Sequence, residues 1–374
     1  MKIVISPDSF KGSLTSYEVA TIISRTIKKI NDSIETICLP IADGGEGTLD
    51  ALIQATDGEY LTTVVQNPLG KNVEATFGIL GDGETCLIEM AKASGLTLIN
   101  EDEKNPRFAT TYGTGQLITR ALNLGYRKFI IGIGGSATND GGLGLLRALG
   151  MKFYSHDGSE ITSDVWQLNS LKQIETKNFD ERIEQSTFIV ACDVNNPLVG
   201  PNGATTIFGP QKGVKQEEIQ LFDDSLKMYG LKIEEHTQMA LQNCAGAGAA
   251  GGIGAAFMAF FPSQFKRGID VVLDAVEFTK HIQHADFVIT GEGRSDMQTL
   301  SGKAPIGVAT LAKEGGVPTI LLSGSVEMSS VPLLKEFFIH VESIVNKDVS
   351  LEKSITRPAY YLEKKVEQLV NKFI

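Results

Sequence analysis

The stretch "MKIVISPDSF", residues 1–10, contains the pattern that decides the fold. Its opening apolar run is typical of a strand buried in a parallel sheet. The continuation "SPDSFKGSLT", residues 6–15, places Asp8, Lys11, a glycine and several hydroxyl groups directly after that strand. A loop in this position is where open α/β sheets bind their ligands. The sequence therefore predicts that residues 6–15 bind a small charged molecule.

The segments that follow repeat this pattern of strand and polar loop. Residues 16–30 carry apolar side chains at helical spacing, "IETICLPIADGGEGT" (34–48) indicates a second strand and loop, and residues 47–56 read as a short helix. Near the other end of the chain, "ADFVITGEG" (285–293) and "VPTILLSGSV" (317–326) are again buried strands that end in polar loops. This alternation of strands and helices predicts a doubly wound sheet.

The middle of the chain has a different pattern. "YLTTVVQNPLGKNVEATFGILGDGETCLIEMA" (60–91) alternates apolar and polar residues around turn sequences, and "MKFYSHDGSEI" (151–161) predicts another hairpin. We therefore expect an α/β protein with a discontinuous Rossmann-like (flavodoxin-like) parallel-sheet domain, residues 1–60 and 280–374. An inserted α/β domain of mixed sheet would occupy residues 61–279, with the active site in the cleft between the two domains.

The composition excludes several classes of function. The formal net charge is −11 over 374 residues, whereas a nucleic-acid-binding protein would present a basic face. The four cysteines are far apart and form no CxxC pair, which argues against a zinc knot or a disulfide scaffold and favours a reducing compartment. We find neither a signal peptide nor an apolar run of ~18 residues. We therefore expect a cytoplasmic protein without membrane or nucleic-acid partners, and a homo-oligomer is compatible with the sequence.

Five loops that follow predicted strands share one character, glycines interleaved with one or two carboxylates. They span residues 6–12, 42–48, 134–142, 192–200 and 291–303. Because the carboxyl ends of parallel strands meet at one edge of a sheet, such loops can converge on a single ligand.

The loop "GIGGSATNDGG" (132–142) is the candidate for binding phosphate groups. Glycines allow close approach of an anion, and the amides at the start of the following helix attract negative charge. The spacing matches neither the Walker A motif nor the dinucleotide fingerprint. A tight turn with a helix cap explains the same glycines. The candidate nucleotide-binding residues are Gly134, Gly135, Ser136, Thr138, Asn139 and Asp140.

Two further loops carry candidate catalytic carboxylates. Asp43 can cap the next helix, but Glu46 adds a second carboxylate that capping alone does not require. Asp193 fits an Asx turn before Pro197, and it equally fits a magnesium ligand or a general base at the end of a strand.

Charged residues in the first and last loops have two interpretations as well. Glu292 and Asp296 flank Arg294, which is typical of a surface ion-pair cluster or of a charged pocket wall. Lys11 is either a solvated lysine or, one turn beyond Asp8, an anchor for an anion.

Taken together, these loops resemble one family, the bacterial glycerate kinases of the first type. The resemblance covers the whole chain, and "IADGGEGT" and "GGSATNDGG" are its most specific motifs. The other stretches that carry it are "SPDSFKGSLT", "CDVNNPL", "GPQKG" and "TGEGRSDMQTLSGKAP". The resemblance implies a kinase that phosphorylates D-glycerate at its 2-hydroxyl with ATP, on a Rossmann-like domain with an inserted second domain. Mg²⁺ would accompany ATP without being permanently bound by the protein.

The chemistry of glycerate, which carries one carboxylate and two hydroxyls, suggests roles for the candidate residues, although the resemblance itself does not fix which carboxylate is the base. Lys11 would pair with the carboxylate, and Asp193 or Asp43 would take the hydroxyl proton, with Asp193 also able to contact Mg²⁺. The expected substrate-binding set is Asp8, Ser9, Lys11, Glu46, Glu292, Arg294 and Asp296. The alternatives are a kinase of another small hydroxy acid, a glycerate kinase that forms 3-phosphoglycerate, and a non-enzymatic sensor of a nucleotide or metabolite.

Overall fold

A computed structural model describes residues 1–45 and 47–373, which fall into two compact units. Unit 1 contains residues 1–43, 50–57 and 268–373, and unit 2 contains residues 44–49 and 58–267. The chain therefore leaves unit 1 and returns to it. The expected boundaries of independently folding domains, near residues 60 and 280, and the expected cleft between the domains stay predictions.

The strands are short, as is usual in sheets of this type. In chain order they are β1 (Lys2–Ile5), β2 (Glu35–Cys38), β3 (Glu59–Gln66), β4 (Asn72–Ile79), β5 (Thr85–Glu89), β6 (Lys128–Gly132), β7 (Lys152–Ser155), β8 (Leu171–Glu175), β9 (Thr187–Ala191), β10 (Ser263–Lys266), β11 (Phe287–Thr290), β12 (Arg294–Ser295), β13 (Thr319–Ser323), β14 (Ser325–Val326) and β15 (His340–Ser343).

The helices alternate with these strands over much of the chain. They are α1 (Ser16–Ile30), α2 (Thr48–Thr56), α3 (Ala91–Ser94), α4 (Tyr112–Asn123), α5 (Leu143–Ala148), α6 (Ala204–Phe208), α7 (Ile219–Thr237), α8 (Ala249–Phe260), α9 (Gly268–Ala275), α10 (Phe278–His281), α11 (Ala304–Glu314), α12 (Val331–Leu334), α13 (Leu351–Thr356) and α14 (Pro358–Phe373). Short 3₁₀ turns, among them Val165–Ser170 and Pro210–Lys212, connect several of them.

Unit 1 is built around a five-stranded sheet in the order β15-β13-β11-β1-β2, in which every neighbouring pair is parallel. Numbered within the unit, this is the order 2-1-3-4-5 of flavodoxin-like doubly wound folds. Ile320 and Leu322 face α1 and α14, whereas Leu321 faces α11. Both faces of the central strands are therefore buried, which explains their continuous apolar sequences. The predicted Rossmann-like, flavodoxin-like sheet is confirmed.

Unit 2 contains a six-stranded mixed sheet in the order β10-β9-β6-β5-β4-β3. The first four strands are mutually parallel, and β3, β4 and β5 form the antiparallel meander that the alternating sequence predicts. The stacked rings of Phe129 and Phe188, with centroids 4.7 Å apart, join β6 to β9 in a large apolar core. The mixed sheet of the second α/β region is confirmed.

The prediction of a hairpin at residues 151–161 is wrong about which segment forms the second strand. Asp157 closes the expected turn by accepting hydrogen bonds from Ser155 Oγ and the Ser159 amide, but only the bridge Tyr154–Glu160 pairs across it. The strand that pairs with β7 is β8, ten residues further on. The intervening chain is diverted because Asp164 caps a 3₁₀ turn and binds Arg107 through two hydrogen bonds of 2.6 and 2.8 Å.

Within the part of the chain that the structure describes, we find no helix long and apolar enough to cross a membrane.

A capping box at the start of α1 ends the loop that follows β1. Thr15 is its N-cap and Glu18 its third residue, and each side chain accepts a hydrogen bond from the other residue's amide, at 3.2 and 2.8 Å. This capping box fixes the point at which the polar loop becomes a helix.

We predict that Thr15→Ala lowers the free energy of unfolding by about 0.5–2 kcal/mol, the usual value of a lost N-cap. Thr15→Ser, which keeps the accepting oxygen, is the matched control and should retain most of the stability. Urea unfolding followed by circular dichroism measures both. Equal midpoints for the two variants would show that the cap contributes nothing.

Candidate active site

A cavity of about 560 Å³ opens in unit 1 beside the loops that follow its parallel strands. The loops after β1, β2, β11 and β13 all contribute to its walls. Seven residues predicted from the sequence line it, namely Asp8, Ser9, Lys11, Asp43, Glu292, Arg294 and Asp296. The predicted substrate-binding loops of this unit therefore meet at one place.

Asp8 is the most buried charged group of the β1 loop, with 7 % of its surface exposed. Its amide donates to the Gly291 carbonyl at 2.8 Å, which ties the loop to the end of β11. Its Oδ1 accepts a hydrogen bond from the Ser9 amide at 2.6 Å. Burial, together with the negative charges of Asp43 and Glu292, raises the pKa of the Asp8 carboxyl to about 7, although the Ser9 amide and Lys11 oppose the rise.

Glu292 is also buried, but its carboxylate has more partners. Its Oε1 accepts hydrogen bonds from Thr299 Oγ1 at 2.6 Å and Ser295 Oγ at 3.0 Å, and its Oε2 lies 4.0 Å from Lys303 Nζ. Burial is the main cause that raises the pKa of this group. Glu292 is thus held rigidly in the cavity wall.

Basic side chains complete the charged part of this cavity. Lys11 is exposed, and Arg294 is 69 % exposed with its Nε 3.4 Å from Asp296 Oδ2. Lys303 lines the same wall. These long side chains can reach an anion that enters the cavity, so the site combines cations for a carboxylate or phosphate with carboxylates for hydroxyl groups.

Unit 2 has its own cavity of about 270 Å³, with a glycine-rich wall. Gly134 and Gly135 of the predicted loop line it, together with Gly44, Gly45 and Gly132. A wall with few side chains brings backbone amides and carbonyls close to whatever binds there.

Glu89 and Lys92 also line this cavity, and the sequence analysis did not select them. Glu89 ends β5 and is 4 % exposed, and its Oε1 accepts a hydrogen bond from the Leu49 amide at 2.8 Å. Lys92 Nζ lies 3.8 Å from its Oε2. A signal was available, because Glu89 directly follows the apolar residues of a buried strand, although it lies outside the five glycine-containing loops considered above.

The remaining predicted residues of the loop at 134–140 are buried inside unit 2. Asp140 is 2 % exposed, and its carboxylate accepts hydrogen bonds from the amide and hydroxyl of Thr111 and from the amides of Gly142 and Gly144. Asn139 Nδ2 donates to Thr205 Oγ1 at 2.9 Å. Burial raises the pKa of Asp140. These side chains hold the loop in shape, and a nucleotide-binding role for Ser136, Thr138, Asn139 and Asp140 stays a prediction.

Lys212 fixes the same loop from the other side. Only 2 % of this lysine is exposed, and its Nζ donates to Ser136 Oγ and to the Thr138 carbonyl, both at 2.7 Å. Burial lowers the pKa of the ammonium to about 7, against the favourable charge of Asp140. In the sequence, Lys212 lies within "GPQKG" (209–213), where no pattern distinguishes a buried lysine from a solvated one.

Two predicted residues remain, Asp193 and Glu46. Asp193 follows β9 in unit 2, is exposed, and lines neither of the two cavities. Glu46 lies outside the described residues. Over residues 1–45 and 47–373, no group of three or more His, Cys, Asp or Glu side chains is arranged to hold a metal ion.

Comparisons with known proteins show what this chain is similar to. The model of the glycerate kinase family matches residues 3–373. The chain is 46 % identical to the glycerate kinase of Bacillus subtilis (97 % of this chain, 95 % of the relative) and 47 % identical to the glycerate 2-kinase of Escherichia coli (87 % and 85 %). A crystal structure from Salmonella typhimurium LT2 that carries the name glycerate kinase 2 superposes with a TM-score of 0.91 at 41 % identity, covering 99 % of this chain and 97 % of that one.

The buried ammonium of Lys212 generates a prediction about stability and pH. Its folded pKa of about 7 lies below the 10.5 of a free lysine, so between these values the unfolded chain binds more protons. The contribution of Lys212 to the free energy of unfolding therefore rises with pH above 7, by up to about 1.4 kcal/mol per pH unit.

We expect the stability of the unsubstituted protein relative to Lys212→Met to increase between pH 7 and pH 9. Denaturant unfolding at several pH values measures this difference. The control is Lys172→Met, which removes an exposed lysine of unit 2 and should leave the pH dependence unchanged. A pH-independent difference for Lys212→Met would show that the lysine is charged throughout.

Proposed function

The chain belongs to the glycerate kinase family, and we propose that it transfers the γ-phosphoryl group of ATP to the 2-hydroxyl of D-glycerate, forming 2-phosphoglycerate and ADP in organic-acid catabolism. Its similarity to a relative named glycerate 2-kinase supports the choice of hydroxyl. The cavity of unit 1 carries the proposal, because exposed cations and buried carboxylates line it together. This is the set of groups that a small hydroxy acid requires.

We assign glycerate to the charged part of this cavity. Lys11 pairs with the substrate carboxylate, and Ser9 and Asp8 of the same loop face its hydroxyls. Arg294, Lys303 and the carboxylates of Asp43 and Asp296 provide the remaining charged contacts of the wall. Glu292 has a positioning role here, since hydroxyl groups of its own unit already bind its Oε1.

We assign phosphate groups of ATP to the glycine-rich wall of unit 2. Gly134 and Gly135 allow the backbone to approach the ligand, and Lys92 supplies a positive charge that lies in the same wall. Phosphoryl transfer depends mainly on positioning and on neutralising charge, which amides and a lysine supply.

Mg²⁺ enters this proposal with ATP. The ion usually keeps several waters and binds proteins through one or two carboxylates together with substrate phosphates. The exposed carboxylate of Asp193 fits such a role, whereas the described residues offer no three-ligand cluster for an ion held by protein alone. The ion would neutralise phosphate charge when bound.

Phosphorus NMR of the product formed from D-glycerate and ATP tests the proposed function directly. We expect a single phosphomonoester resonance coupled to the proton on C2. A resonance coupled to the two protons on C3 would identify a kinase that forms 3-phosphoglycerate. Release of ADP that does not depend on glycerate would contradict the assignment of the acceptor.

Substitution of Lys11 tests where glycerate binds. Loss of a charge-assisted hydrogen bond costs about 1.5–3 kcal/mol. We therefore expect Lys11→Ala to raise the KM for glycerate by roughly 10–150-fold, with little change in the KM for ATP. The control is Lys335→Ala, which removes an exposed lysine of unit 1 outside this cavity and should change neither constant. An increase confined to the KM for ATP would assign the loop to the nucleotide.

A further inference from the structure

Several carboxylates line the unit 1 cavity, and they differ in how many hydrogen bonds they already accept. Glu292 accepts two on its Oε1 from Thr299 and Ser295. Asp296 accepts one from the Gln298 amide at 2.9 Å and lies beside Arg294. Asp8 accepts one, on Oδ1, and its Oδ2 accepts none from any residue that the structure describes. A buried carboxylate with one free oxygen in a cavity wall is suited to bind a hydroxyl group of a ligand.

We propose that Asp8 is the catalytic base of the phosphoryl transfer, taking the proton of the glycerate hydroxyl on its free Oδ2. This inference rests on the proposed function. The hydroxyl oxygen forms a bond to the γ-phosphorus, the bond from that phosphorus to the β,γ-bridging oxygen breaks, and ADP leaves with the electron pair. The hydroxyl proton moves to Oδ2 and is released to solvent after the product dissociates.

The fixed position of Asp8 supports this role. The amide of Asp8 is bound to the Gly291 carbonyl, which fixes the backbone, and the Ser9 amide holds Oδ1 at 2.6 Å, so the carboxyl group cannot swing out of the wall without breaking the bond from Ser9. A base that is held in place loses little entropy when the substrate binds. Asp193, a first choice from the sequence, is exposed and lines neither cavity.

Charged groups reach Asp8 from each element that surrounds it. Lys11 lies on the same loop, Asp43 follows β2, and Glu292 follows β11. Further around the cavity wall are Arg294, Asp296, Lys303 and Glu327. Asp43, Glu292 and burial raise the pKa of Asp8 to about 7, and Lys11 lowers it. A base is most effective when its pKa lies close to the working pH, so this balance of charges supports the geometric argument.

The pH dependence of kcat/KM for glycerate, with ATP saturating, tests the proposal. We expect kcat/KM to rise with pH, with the midpoint of this acidic limb of the profile near pH 7, because Asp8 must be ionised to accept a proton. Asp8→Asn should lower kcat by about 10²–10⁴-fold and abolish this limb in the residual activity. Calorimetric titration with glycerate should still show binding to this variant, which separates a catalytic loss from a failure to fold or to bind.

Two neighbouring substitutions identify the titrating group even if Asp8→Asn is unstable. Asp43→Asn removes a negative charge and should move the limb to lower pH, whereas Lys11→Met removes a positive charge and should move it to higher pH. Loss of the limb in Asp43→Asn or in Asp193→Asn, with the limb retained in Asp8→Asn, would overturn the proposal. The parent enzyme is assayed first, because an absence of glycerate-dependent ADP formation there would contradict the proposed function and not the role of Asp8.

Discussion

The parallel pairing of β1 with two strands determines how unit 1 is arranged. β1 lies between β2 and β11, so Ile3 is opposite both Thr36 and Phe287. Because all five strands run in one direction, the loops that follow them lie at a common edge. The loop after β1 is further tied to β11 by two backbone hydrogen bonds of 2.8 Å, from Ser6 to Ile289 and from Asp8 to Gly291. This register places Asp8 next to the loop that follows β11, where Glu292 lies.

Buried charged groups in the protein differ in how many hydrogen bonds they make. The carboxylate of Asp140 has four donors, and the ammonium of Lys212 has two acceptors, so both serve to hold the loop at 134–140. Asp8 is buried to a similar extent as Asp140 and Lys212, but its carboxylate accepts a hydrogen bond from a single donor. An ionised group that is buried with few hydrogen bonds lowers the stability of the fold. Such groups occur mainly at functional sites, in agreement with the role proposed for Asp8.

Much of the fold could be predicted from sequence because buried parallel strands and antiparallel meanders have distinct periodicities. The limits of α1 follow from its apolar spacing and its capping residues, whereas the failure at residues 151–161 came from a long-range pair, Arg107 with Asp164, that no local pattern shows. In the candidate site, loops after strands were recognised because polar residues interrupt apolar runs. Which side chains point into a cavity could not be predicted, because Asp140 and Asp8 both lie in polar loops after buried strands and differ in their three-dimensional partners.

The discontinuity of unit 1 has a consequence for biosynthesis. Until Phe287 leaves the ribosome, β1 and β2 have no third strand beside them, and a two-stranded parallel pair is not stable alone. At translation rates of about 5–20 residues per second, the amino-terminal segment therefore waits on the order of 10–60 s for β11, whereas unit 2 is already fully synthesised at residue 267. Chains terminated before β11 would lack that wall of the cavity, and the loop that carries Asp8 would lack its hydrogen bonds to Ile289 and Gly291. The cavity of unit 1 can therefore form only on a nearly completed polypeptide, because its walls come from both ends of the sequence.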